Sequence, residues 1–322
     1  MAHRIRKYLY LSKRDPDDKR KIFRHSLVTA IVLDSRSRRQ ILGEAKKGLD
    51  SGYIESLMID SGGFQVLKRD LYSPDEMIKQ NVEIYTKYDF ASNYVLPDSP
   101  PILNEPLECS KKKIEESING GLNLFNVLPE HIQKKCIPVF HIRDYADLDR
   151  QLEAYKHILE LSGKCAWASL RTTAGASHKL TPLNLDLLSR LQKKLPSIKI
   201  HALGIGSRQA MYCLYQMGIY STDSTSPQQT AYKHEAIYGF KNVHTDNIED
   251  IEKAKTETGH ECASCKNPTK LKSSWVHRTV HNLVSMDNIS DLFDKTKPEQ
   301  FVDTFPVWSG KVECKGQQMA IF

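Results

Sequence analysis

No stretch of the 322-residue sequence approaches the ~18 consecutive apolar residues that a membrane span needs. There is no Pro-rich linker, low-complexity tract or internal repeat, which argues against a solenoid or a tethered, independent second domain. The basic N-terminus lacks the apolar stretch and small-residue cleavage site of a signal peptide, so a cytoplasmic protein is expected, with no membrane partner. Cysteine is sparse. Seven scattered residues suit reduced thiols or metal ligands better than a disulfide framework. Neither sign of charge dominates, since 46 Lys and Arg against 39 Asp and Glu leave only +7. That excess would suit a phosphate-backbone partner, but many metabolic enzymes carry as much.

What is present is an alternation of short apolar strands and helical stretches. Runs of β-branched and apolar residues predict strands over 8–12, 28–34, 56–60, 93–98, 137–142, 166–170, 198–206 and 219–223. Helical patterns fall between them, at 38–49, 74–87, 106–119, 144–161, 182–194 and 207–217. Eight strands alternating with helices predict an α/β protein, a (β/α)8 TIM barrel over residues 1–240. From about 241 the chain turns polar and rich in Lys and Glu, which predicts an appended C-terminal subdomain over 241–322 with a last helix pair around 270–295.

That C-terminal stretch holds a metal-ligand pattern. His260, Cys262 and Cys265 place three soft ligands within six residues, and His277 and His281 follow one helical turn apart. Two cysteines separated by two residues can close on one tetrahedral ion, and either histidine could supply the fourth ligand. Four protein ligands leave no open coordination position, so the expected ion is a structural Zn2+.

Barrel enzymes carry their chemistry at the C-terminal ends of strands. Three predicted strands reach an aspartate there: Asp60, Asp98 and Asp223. One such aspartate alone reads equally well as a helix cap or turn former. Three at equivalent positions suggest paired carboxylates, one attacking an anomeric carbon while another handles the leaving-group proton. A third carboxylate can read a purine edge by accepting from its N–H groups. After Asp60 come Ser61, Gly62, Gly63, Phe64 and Gln65, where the glycines permit close backbone approach to a ligand and Phe64 could stack on a flat ring. Further candidates are the strand-end His141 and the segment His201–Gly206, which includes Gly204, although His201 alone more often reads as a satisfied core histidine.

The run Asp60-Ser61-Gly62-Gly63-Phe64-Gln65, the Leu203–Ser207 segment, the Asp223-Ser224 strand end, and the His260-x-Cys262-x2-Cys265 knuckle followed by His281-Asn282-Leu283 together resemble the tRNA-guanine transglycosylase superfamily. The resemblance spans roughly residues 55–290. It implies a TIM barrel with a zinc subdomain that replaces a guanine in nucleic acid by a 7-deazaguanine base. It further implies Asp223 as the nucleophile at C1′, forming a covalent nucleoside intermediate, and Asp60 as general acid/base. Asp98 would bind the guanine edge, Ser169 and Leu170 take the place of the family's Gly-Leu, His141 stands near its Gln, and His281 becomes the fourth zinc ligand. A homodimer is common in such proteins.

Several positions depart from that pattern. His260 replaces the Cys usual at the first knuckle position, and Asp223 is followed by Ser-Thr-Ser-Pro-Gln-Gln rather than an arginine-containing loop that grips an anticodon. Ala168–Thr173 replaces the usual Gly-Gly-Leu-Ala-Val-Gly segment. These traits are more similar to the 7-deazaguanine DNA transglycosylases of phages and bacterial DNA-modification clusters. The expected partners are therefore DNA and a free 7-deazaguanine base such as preQ0, with accessory proteins to open the duplex or complete the modification. The same exchange on tRNA, and a catalytically silent nucleic-acid-binding subunit, are the alternatives.

Overall fold

Strand and helix alternate from His25 to Tyr232 in the computed structural model, which describes residues 25–31, 33–52, 54–62, 72–102, 105–168, 180, 182–287 and the single positions 289, 293 and 295. The order is β1 (His25–Thr29), α1 (Ser35–Asp50), β2 (Ser56–Asp60), α2 (Pro74–Lys87), β3 (Asn93–Val95), α3 (Leu107–Val127), α4 (Glu130–Gln133), β4 (Cys136–Ile137) and β5 (Val139–Phe140). Then follow α5 (Tyr145–Ser162), β6 (Lys164–Trp167), α6 (Pro182–Lys194), β7 (Lys199–Ala202), α7 (Arg208–Gln216), β8 (Ser221–Thr222) and α8 (Ser226–Tyr232). Local signals set several helix ends. Ser73 and Glu76 form a reciprocal capping box ahead of α2, Asp144 and Asp147 do the same for α5, and Gly163 ends α5 in the left-handed conformation at φ 63°.

The strands form two parallel sheets in sequence order, β1-β2-β3-β4 and β5-β6-β7-β8. Only Pro138 separates them. The Ile137 carbonyl accepts from Leu96 N–H on one side and the Pro138 carbonyl from Ala166 N–H on the other, so residues 136–140 serve both sheets. Proline has no N–H to give to the Lys164 carbonyl across the ladder, and the Ser162 hydroxyl donates to that carbonyl instead, at 3.1 Å.

Period-2 alternation divides the strand residues between two apolar layers. Leu57, Ile59, Tyr94, Leu96, Phe140, Cys165, Trp167 and Ala202 pack with helix residues in the main core. Val95, Ile137, Val139, Ala166 and Ala168, on the opposite face of the strands, form a separate cluster, with Met58 and Leu203 against it. Trp167 is 1% exposed, and truncating a buried aromatic of this size to alanine costs about 3–5 kcal/mol. The buried tyrosines bring partners for their hydroxyls: Tyr94 donates to the Tyr88 carbonyl at 2.7 Å and Tyr155 to that of Ser117 at 3.1 Å.

The predicted strands recur with shifts. The strand expected over 28–34 occupies His25–Thr29, because Asp34 caps α1 by accepting from the N–H groups of Arg36 and Ser37. Arg38 then donates back to the carbonyls of Ala30 and Leu33, holding that stretch as a loop. The strand expected at 8–12 lies outside the described residues. Past α8 stands a hairpin that sequence patterning did not separate, β9 (Glu235–Tyr238) and β10 (Lys241–His244), antiparallel around a two-residue turn with Gly239 at φ 56°. Helices α9 (Ile248–Thr258), α10 (Pro268–Ser273) and α11 (Trp275–Asp287) follow. Ala236 and Tyr238 pack with Ile251, Leu271, Val280 and the two knuckle cysteines in a smaller core of their own. The chain thus enters this C-terminal cluster ahead of residue 240.

Candidate active site and metal centre

Alternation carries from packing into chemistry. On β2, Met58 and Asp60 share a face, and His201 of β7 shares one with Leu203 just beyond it, so the polar strand-end residues continue the second, smaller apolar layer. Asp60 and Thr29 are register partners across β1 and β2, and the Thr29 hydroxyl donates to Asp60 Oδ2 at 2.9 Å. Burial pushes the Asp60 carboxyl up to about 7, and the negative charges of Asp98 and, more weakly, Asp223 add to that push. The Thr29 hydroxyl and the Gly62 N–H pull it part of the way back. Asp98 and Asp223 therefore both act on Asp60, although the three come from separate strands.

Asp98 and Asp223 each stand beside an imidazole. His141 Nε2 lies 2.9 Å from Asp98 Oδ2, in a pair that is almost wholly buried. His201 Nε2 lies 3.3 Å from Asp223 Oδ1, which also accepts from Gly204 N–H at 2.7 Å. The other ring nitrogen of His201 lies 2.8 Å from Ser221 Oγ. Gly204 has φ 70°, the left-handed conformation that turns its N–H toward the carboxylate. After Asp223 the chain folds directly into α8: Ser226 N–H donates to Ser224 Oγ, and Pro227 sits in the first helical turn.

Of the residues expected around a substrate, Ser61 is buried and gives its hydroxyl to the Leu96 carbonyl at 3.3 Å, so it pins β2 to the β3 edge. Gly62 has φ 75°. Gly63, Phe64, Gln65, Ser169 and Leu170 lie outside the described residues. Sequence reasoning passed over Thr29 and Ser221 and named His201 only as part of the 201–206 segment, weighing it alone as a core histidine. The signal that could have found them is register, since both pairs sit opposite each other on adjacent strands.

In the C-terminal cluster His260, Cys262, Cys265 and His281 offer ligand atoms all within 4.8 Å of one another. His277 stands outside that group. Cys262 and Cys265 Sγ are 3.3 Å apart, and His281 Nδ1 is 3.5 and 3.0 Å from them. His281 Nε2 faces the Ile237 carbonyl at 3.0 Å. A carbonyl only accepts, so Nε2 carries the proton and the Nδ1 lone pair of the neutral ring points at two sulfurs. His260 Nε2 is buried with no hydrogen-bond partner. Converging lone pairs of this kind suit a cation, and two Cys with two His fit a tetrahedral structural zinc, the carbonyl on His281 serving to orient the ring.

This centre is tied to the Asp223 side of the molecule. Asn282, next to His281, donates to the carbonyls of Pro227 and Glu235 and accepts from Ile237 N–H at 2.7 Å. The buried Arg278 donates to the carbonyls of Ala231, Leu271 and Lys272. Both ends of α8 are thereby fixed to the helix that carries His281.

Among the described residues no helix is long and apolar enough to cross a membrane. Compared with known proteins, the chain matches no protein-family model and no curated protein.

Proposed function

We propose that the chain is a nucleic-acid guanine transglycosylase with its site at the C-terminal ends of a closed (β/α)8 barrel. The observation that carries this reading is the division of labour among three strand-end carboxylates. Asp60, raised to about 7, can both give and take a proton near neutrality, whereas Asp98 and Asp223 each have an imidazole partner. The smaller apolar layer shared by β2 to β7, together with the action of Asp223 on Asp60 across the sheets, supports barrel closure.

In the first displacement the Asp223 carboxylate attacks C1′ of the target guanosine. The C1′–N9 bond breaks, its electron pair leaves with the purine, and Asp60 supplies the proton that neutralises the departing guanine. In the second, the incoming 7-deazaguanine gives its N9 proton to Asp60 and attacks C1′, and the bond to Asp223 breaks. Asp98 accepts from the N–H groups of the guanine edge. The target nucleotide must leave its stack to reach the site. Zinc, held by His260, Cys262, Cys265 and His281, has a structural part only.

DNA is the favoured substrate, because the chain after Asp223 enters helix α8 directly through Ser224–Ser226 and offers no arginine there. The test is incorporation of labelled preQ0 into genomic DNA and total tRNA in parallel, with Asp223→Ala as the blank. Label in DNA that vanishes with Asp223→Ala is expected. Label in tRNA alone would transfer the reading to tRNA, and label in neither would remove it.

A further inference from the structure

On β7 and β8, His201 and Ser221 are register partners, and Asp223 lies two residues beyond Ser221 on the same face. The imidazole therefore spans from one residue of β8 to the next on that face, with Nδ1 2.8 Å from Ser221 Oγ and Nε2 3.3 Å from Asp223 Oδ1. Here both nitrogens meet side chains of the strand that ends in the nucleophile, and His201 is only 6% exposed.

We propose that His201 is a positioning residue for Asp223: fixed by Ser221 as the Nε2–H tautomer, it holds the carboxylate by Oδ1, together with Gly204 N–H, so that the other oxygen faces C1′. The inference rests on the reading of Asp223 as nucleophile. An ionised carboxylate only accepts hydrogen bonds, so the proton between the two groups sits on Nε2, and the Ser221 hydroxyl donates to the bare Nδ1. Two donors converging on one carboxylate oxygen fix the plane of the group. Without the imidazole, Oδ1 loses one of these two donors and keeps Gly204 N–H at 2.7 Å, so the orientation of the carboxylate is less constrained. Attack at a tetrahedral carbon demands aligned geometry, so loss of orientation slows the chemical step and leaves nucleic-acid binding alone.

The experiment uses the full chain. Single-turnover formation of the covalent complex is measured with His201→Phe, which keeps a ring but no donor, and His201→Gln, which restores an N–H. His201→Phe is expected to slow complex formation about 10- to 100-fold with the half-saturating oligonucleotide concentration unchanged, and His201→Gln to recover to within about threefold of the parent. Equal rates for Phe and parent, or a folded Gln variant as slow as Phe, would overturn the proposal. A second readout needs no activity: 15N spectra of histidine-labelled protein should show His201 as the Nε2–H tautomer, with slow solvent exchange of that proton that quickens in Asp223→Ala. An Nδ1–H tautomer, or exchange indifferent to Asp223→Ala, overturns it as well. Should the parent protein form no covalent complex, the base-exchange reading falls while the spectra still decide whether His201 holds Asp223.

Discussion

His141 Nε2 and Asp98 Oδ2 lie 2.9 Å apart, and the histidine side chain is 1% exposed. The imidazole has no room to withdraw, because Gln151 clamps its backbone: His141 N–H donates to Gln151 Oε1 at 3.0 Å, and Gln151 Nε2 donates to the His141 carbonyl at 2.8 Å. On the proposed reading, this arrangement fixes the Asp98 carboxyl as the acceptor for the N–H groups of a guanine edge. His141→Leu removes the donor from a mostly buried carboxylate and should destabilise the protein by about 1–3 kcal/mol in urea titrations. It should also lower base exchange about 100-fold, whereas His141→Gln, which keeps an N–H, should stay within about tenfold of the parent. A leucine variant as stable and active as the parent would remove the pair from both roles.

Asp60 holds its proton far more tightly in the folded chain than its ordinary value of 3.8 allows, since burial and the neighbouring carboxylates raise it to about 7. The folded state therefore binds more protons than the unfolded one between those two values, and this group's contribution makes stability fall as pH rises from 3.8 to about 7. Asp60→Asn, with no charge to bury, should be more stable than the parent at pH 8 by on the order of a few kcal/mol, with the gain fading by pH 4. Melting temperatures of the two proteins at both pH values check this. A gain that is larger at pH 4 would reverse the assignment. The same proton should govern chemistry: covalent-complex formation in the parent should fall about tenfold per pH unit above about 7, once the acid form is lost.

Much of this was legible in the sequence, for identifiable reasons. β-branched runs ending in Asp60 and Asp223 marked real strands, because a strand end next to a carboxylate is a local pattern. The knuckle was legible because Cys-x2-Cys spacing is itself the geometry of a tetrahedral site. By contrast, β1 was misplaced toward Asp34, since the run Ala30–Leu33 continues the apolar pattern past Thr29 and only the capping interaction of Asp34 with Arg36 and Ser37 tells where the helix begins. The 235–244 hairpin was missed, although Gly239-Phe240 between two alternating runs is a two-residue turn pattern. The role of His201 was beyond reach from composition, because it depends on which residue of β8 lies opposite, and register is a property of the pair of strands.

Gly206 is the tightest point of the Asp223 loop. A Cβ built on it would lie 1.9 Å from Ser224 Oγ and 2.9 Å from Ser224 Cβ, so the loop after β7 rests directly on the residue that follows Asp223. Gly206→Ala must move Ser224, and Asp223 with it. We expect a loss of about 1–3 kcal/mol in stability from overpacking and a fall of at least tenfold in covalent-complex formation. Gly43→Ala, where a Cβ meets nothing within 4 Å in mid-helix, should be neutral or slightly stabilising and serves as the control. Urea titration and single-turnover trapping of both variants check the pair, and an active Gly206→Ala protein would mean that Ser224 moves without disturbing its neighbour.

The metal centre should matter to the site at a distance. Four ligand side chains hold together α11, the knuckle at 260–265 and, through Ile237, the edge of the hairpin, around a core of few apolar residues. Binding of an ion by such a centre contributes directly to folding of the segment around it. Cys262→Ser or removal of zinc by a chelator should therefore release the C-terminal cluster, read as a change in Trp275 fluorescence and loss of one equivalent of zinc. Because Asn282 donates to the Pro227 carbonyl and Arg278 to that of Ala231, helix α8 should loosen at both ends in the same event. Covalent-complex formation should then drop at least tenfold even though no ligand touches Asp223, while hydrogen exchange in α2 and α5 stays at parent levels. Asn282→Ala separates the two effects: zinc content should be kept and trapping reduced. If the metal-free protein traps nucleic acid at the full rate, the connection through Asn282 and Arg278 carries no consequence for Asp223, and the centre serves only its own end of the chain.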